Sequence, residues 1–151
     1  MFQRIFPKQI DNHFPGHWLA QVIFALLILA RGAMGFNSIL LTHDVVTKAD
    51  GIPLDSYGAP AAAAVLLLFK ITGLLIVLLA LLGLLALIRY RAMIPLLYLV
   101  QIIQIGGSKW LAMAYPVTRS SAIAMGVPIV QIMIALALLG FVLCLIKRRT
   151  P

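Results

Sequence analysis

Glutamate is absent from this 151-residue chain, and its four acidic residues, all aspartates, face 12 lysines and arginines. Cysteine occurs once, as Cys144. A single thiol excludes an internal disulfide and a Cys-x-x-Cys redox pair. Its place inside an apolar run predicts a packed thiol rather than a reactive one. Charged residues of either sign make up only 11% of the chain, whereas 63% is hydrophobic. Soluble domains carry about a quarter charged residues, so the composition describes an integral membrane protein with no room for a sizeable soluble domain. The net charge of +8 would suit nucleic acid, but the cations cluster at the ends of apolar runs, where they act as topology signals. No nucleic-acid partner is expected.

Chemical signatures are also missing. There is no Ser-His-Asp set, no paired carboxylate and no phosphate-binding glycine loop. His13 and His17 have the four-residue spacing of metal ligands, but Pro15 and Gly16 interrupt any helix between them. His43 stands beside Asp44, which is expected to hold it at the membrane boundary. No histidine pair lies in an apolar run to ligate haem. No metal site is expected, and nothing identifies an enzyme acting alone.

What is present is oil. A bilayer core about 30 Å thick takes about 20 apolar residues as helix. Four runs qualify, at about 18–41, 61–88, 92–114 and 123–146, so the expected fold is all-α: a four-transmembrane-helix bundle over 18–147. Residues 1–17 then form an N-terminal segment and 148–151 a basic tail. Short alternating strands, the mark of a membrane barrel, are absent. Pro7, Asp11 and "NHFPGHW" precede the first run without a clean small-residue cleavage site, so that helix is expected to be retained. Pro15 and Gly16 turn the chain before it, "KADGIPLDSYGAP" links the first two runs, Pro95 suits the first turn of the third, and Pro116 closes it.

Arg4 and Lys8 precede the first run, Arg89 and Arg91 lie between the second and third, and Lys147, Arg148 and Arg149 follow the fourth. The first long loop instead carries Asp44, Lys48, Asp50 and Asp55. By the positive-inside rule both termini are cytoplasmic and the aspartate-rich loop is outside, as for a multi-pass protein of the inner or plasma membrane.

A few polar residues interrupt the oil: Arg31 in the first run, Lys70 in the second, Gln101 and Gln104 in the third, Gln131 in the fourth. An ion at bilayer depth costs about 2.5–3.5 kcal/mol and usually faces the bundle interior. At about 1.5 Å per residue, Arg31 lies about 20 Å into its helix and Lys70 about 14 Å into its own. The five residues are therefore expected to form one belt. Arg31, Gly35, Ser38 and Thr42 share one helix face. Gly32, Gly35, Gly73, Gly83 and Ala135 permit close helix approach, and Gly106–Gly107 predicts a kink or a loosened turn. The belt holds two cations and no carboxylate. Asp44 reaching down, an anionic ligand or headgroup, a partner's acid, or deprotonation of Lys70 would each compensate. Snorkelling along the helix is the plainer alternative.

"LARGAMGFNSILLTHDVVTKA", with Arg31, Gly35 and Phe36, followed by "FKITGLLIVLLALLGLLALIR", with Gly73, Gly83 and Arg89, resembles the DoxX-like family of small four-helix membrane proteins. The resemblance covers most of the chain. The family usually offers a glutamate where this chain has Lys70, so an ionic pair with Arg31 is not inherited. The resemblance implies quinone-linked or oxidative-stress chemistry, with quinone as the implied cofactor. Three functions stay open: an accessory or anchor subunit of a membrane assembly, a carrier or binding protein for an anionic solute or lipid, and a membrane enzyme using Lys70 or His43. The candidate ligand- or partner-binding residues are Arg31, Ser38, Lys70, Gln101, Gln104 and Gln131.

Overall fold

The computed structural model describes residues 5–7, 9–14, 16–117, 119 and 126–146. It is all-helical among these residues, with four helices long and apolar enough to cross a membrane. They are α1 (Trp18–Leu40), α2 (Ala59–Arg89), α3 (Ile94–Ala114) and α4 (Gly126–Leu145). The expected four-helix architecture is therefore observed. A helical turn at Thr42–Asp44, a π-helical turn at Val45–Ala49 and a 3-10 turn at Leu54–Ser56 fill the α1–α2 loop.

Local chemistry sets the boundaries. The His17 ring nitrogen Nδ1 accepts from the Leu19 N–H at 3.2 Å and caps α1, satisfying one of the orphan donors of a helix start. Proline occupies the first turn of both α2 and α3, where its missing N–H costs nothing. The Arg91 Nε–H donates to the Leu87 carbonyl at 3.0 Å, near the end of α2. Gly51, at φ 69°, is the one described residue in the left-handed region and turns the chain out of the π-helical segment. At about 1.5 Å per residue α2 is about 46 Å long, well beyond the hydrocarbon core.

The start of α1, the α2–α3 turn and the end of α4 meet at one end of the bundle, here the termini end. His17 N–H donates to the Leu143 carbonyl at 3.2 Å, and Ala92 N–H donates to the Asp11 carbonyl at 3.3 Å. The opposite end carries the α1–α2 loop. α1 is central: it packs along α2 and against α4, α4 also packs on α3, and α2 meets α3 only sparsely.

The α1–α2 contact is made by glycines. A Cβ on Gly35 would lie 2.9 Å from the Gly73 carbonyl oxygen, and one on Gly73 would lie 2.8 Å from that of Gly35. Backbone therefore touches backbone, which only side-chain-free positions allow. Gly83 leaves room instead for the side chain of Ile28, whose Cγ2 a Cβ there would meet at 2.7 Å.

The core lies toward the termini end. Tyr98 is fully buried, donates its hydroxyl to the Ala20 carbonyl at 2.7 Å, and meets Phe24 edge-on at 5.0 Å. Gly140 of α4 lies against its ring, where a Cβ would overlap the phenol oxygen. Cys144 is fully buried nearby, as expected for a packed thiol.

Toward the loop end the packing opens. One face of α3 is buried from Ile94 to Ile105, yet no residue from Gly106 to Val117 is buried. A Cβ on Gly106 or Gly107 would meet nothing within 4 Å. α3 runs through this pair as one continuous helix, without the loosened turn that the two glycines allow.

Candidate functional site

The predicted face of α1 is the buried one. Arg31, Gly35 and Thr42 are buried and Ser38 is half-buried. The Thr42 and Ser38 hydroxyls donate back to carbonyls within their own helix, Thr42 to Ser38 at 2.8 Å and Ser38 to Met34 at 3.0 Å. Ser38 is thus internally satisfied, with its Cβ against Gly73, and is a packing residue.

Arg31 is 8% exposed and donates from Nη2 to the Gln104 side-chain oxygen of α3. This joins α1 to α3 at the level where α3 loses its neighbours. Gln104 is itself held in register by its helix, and its backbone carbonyl accepts from the Ser108 hydroxyl at 2.7 Å. One turn toward the termini end on the same face, Gln101 is 7% exposed, and its Oε1 has no hydrogen-bond partner among the described residues. A buried unpaired amide oxygen costs about 1–3 kcal/mol, so this stretch of α3 carries polarity that packing alone does not require.

No carboxylate reaches this cluster. The described span residues include no acid. Asp44, one expected counter-ion, instead pairs with Lys48 at 3.0 Å on an exposed helical turn. That same pairing corrects the expectation for His43. Its ring is exposed, no bond joins it to Asp44 among the described residues, and its backbone carbonyl accepts from Thr47. Two i,i+4 partners on one turn meet more readily than adjacent residues, which point about 100° apart.

The single belt is also corrected. Lys70 is exposed and makes no hydrogen bond or ion pair with a described residue. The cause is the narrow way α2 attaches. Only Gly73, Val77, Gly83 and Ala86 are buried along its 31 residues. Lys70 lies on the loop side of Gly73, where no residue of α2 from Ala59 to Thr72 is buried. Gln131 is likewise exposed on α4. The structure therefore brings Arg31 and Gln104 together, sets Gln101 one turn away, and places Lys70 and Gln131 on outward faces.

Asp50, outside the spans, is half-buried at the end of the π-helical turn. Burial raises its carboxyl above the usual range, and the charge of Arg119 partly opposes this. Sequence reasoning missed this link between the two loop-end connections, because 69 residues separate the partners along the chain.

No group of three or more potential metal ligands occurs among the described residues. The basic residues Arg4, Lys8 and Lys147–Arg149, on which the orientation rests, lie outside the described residues. No protein-family model, no characterised protein and no solved structure matches this chain.

Proposed function

We propose that this small multi-pass membrane protein binds the acidic group of a membrane-soluble ligand, with Arg31 as the site cation. The observation that carries this is a buried guanidinium whose one described partner is a neutral amide. A guanidinium offers five N–H donors, and one of them is used here. An ion at bilayer depth without a counter-ion is a functional site by default. The open packing of α3 beyond Gln104 supplies a route from the loop end.

The same spare donors suit a quinone carbonyl, the acceptor that the DoxX-like resemblance implies, and this extends the proposal to a redox-linked role. Arg31 and Lys70 do not share that ligand, since they occupy different faces of the α1–α2 pair. The orientation that fits is both termini cytoplasmic in an inner or plasma membrane.

The test uses oleate and oleyl alcohol, which differ in charge and share a chain. Oleate raises the Tm of the purified bundle more than oleyl alcohol does. Arg31→Gln removes the difference, and Arg31→Lys keeps part of it. Equal shifts with the two probes in the natural protein overturn the proposal.

A second reading, an accessory subunit of a membrane assembly, is favoured by Gln131, an amide on an outward face of a spanning helix. A partner chain that co-purifies in mild detergent and is lost in Gln131→Leu supports it.

A further inference from the structure

Lys70 belongs to a different feature from Arg31. On the outer side of the α1–α2 pair runs an apolar groove of about 340 Å³, lined by Gly32, Phe36, Val77, Leu81 and Leu84 among others. It exists because Gly32 has no side chain to fill it. Lys70, Val77, Leu81 and Leu84 are spaced 7, 4 and 3 residues apart. These spacings return to one face of a helix. Lys70 therefore stands in line with the groove on α2, about 10 Å toward the loop end from Val77. It is exposed and unpaired among the described residues.

An apolar groove with a cation at the end nearer the membrane surface matches one kind of molecule. We infer that the α1–α2 groove is a binding site for an anionic phospholipid, its acyl chain along Gly32 and Phe36 and its phosphate at the Lys70 ammonium. The geometry suits the parts. The lysine stem is long enough to carry its ammonium toward the headgroup level while its methylenes lie on apolar surface. From Lys70 to Leu84 the helix rises about 21 Å, enough to follow a chain through one leaflet of about 15 Å. Charge complementarity selects the headgroup, because the groove is otherwise apolar. Lys70 is thus neither an interior ion nor a passenger. The site is independent of Arg31 and of the ligand proposed there.

The experiment measures lipid retained by the full chain after purification from vesicles of equal parts dioleoylphosphatidylglycerol and dioleoylphosphatidylcholine. The natural protein retains the glycerol lipid in preference by about fivefold, the factor one lysine contributes toward an anionic surface. Lys70→Met brings the ratio close to one without lowering Tm. Ala33→Phe, which fills the groove from an exposed position, reduces both lipids together. Inorganic phosphate at millimolar concentration leaves the bound lipid in place.

An unchanged ratio in Lys70→Met overturns the inference. If Arg31→Gln alone abolishes the preference, the anion site lies in the bundle interior and this one does not exist. Displacement by inorganic phosphate assigns the lysine to a free anion and overturns it as well. So does a co-purifying protein that Lys70→Met releases while the lipid ratio holds.

Discussion

Arg31 of α1 donates a hydrogen bond to the side-chain carbonyl of Gln104 in α3, 73 positions later in the chain, and with the Tyr98 hydroxyl on the Ala20 carbonyl it ties the first helix to the third within the spans. Hydrogen bonds to charged groups contribute about 1.5–3 kcal/mol. Gln104→Leu, which strands the guanidinium, is expected to destabilise the bundle by that amount in detergent unfolding. Gln131→Leu, on an outward face, should leave stability unchanged or raise it.

The glycines divide into two groups that substitution separates. Gly35→Leu and Gly73→Leu push α1 and α2 apart, because each new side chain begins within 3 Å of backbone oxygen. Both should lower Tm sharply. Gly106→Ala and Gly107→Ala meet nothing and remove the glycine penalty in a helix, about 0.5–1 kcal/mol each. They should stabilise the protein in the same assay.

Tyr98 tests the core. Tyr98→Phe keeps the ring against Phe24 and Gly140 but leaves the Ala20 carbonyl without its hydroxyl donor. A loss of about 1 kcal/mol is expected. Gly140→Val should be far worse, since its Cβ would overlap the tyrosine ring and both helices would have to move. Near-ultraviolet circular dichroism together with Tm distinguishes the two outcomes.

Asp50 predicts a pH dependence. Its carboxyl titrates higher in the folded protein than in the unfolded chain, because burial disfavours the charged form. The folded state then binds the proton more tightly, so this contribution to stability is fully present below the unfolded pKa and is lost as pH rises through the folded one. Asp50→Asn should raise Tm at pH 7, and the gain over the natural protein should shrink as pH falls through the raised folded value and be gone below about 4. A gain that grows on acidification contradicts the assigned direction.

Much of this was legible in the residues. Spans of 18 or more apolar residues have no other home than a bilayer, and prolines and glycines punctuate them, so four helices and their approximate ends follow from composition and spacing alone. The face of α1 was legible from spacing: Arg31, Gly35, Ser38 and Thr42 return to one side of a helix. The inward placement of Lys70 was misread. Leucines surround α2 on every side, so hydrophobic periodicity does not distinguish an inner face from an outer one.

The tertiary structure decided which polar residues meet. Helices in a bilayer gain nothing from hiding leucine from lipid, so close approach of small residues selects the contact. Gly73 and Gly83 seat α2 on α1 from Gly73 to Ala86, and Lys70, on the loop side of that stretch, is left outward. Gln104 meets Arg31, and Gln131 does not, because α3 and α4 pack through Tyr98 and Gly140. The amino-acid sequence by itself determined that the chain makes four apolar helices bearing a few costly polar residues. Only the packing of glycine against backbone decided that Arg31 lies inside and Lys70 outside, since that choice depends on distances between segments and not on the hydropathy of any one of them.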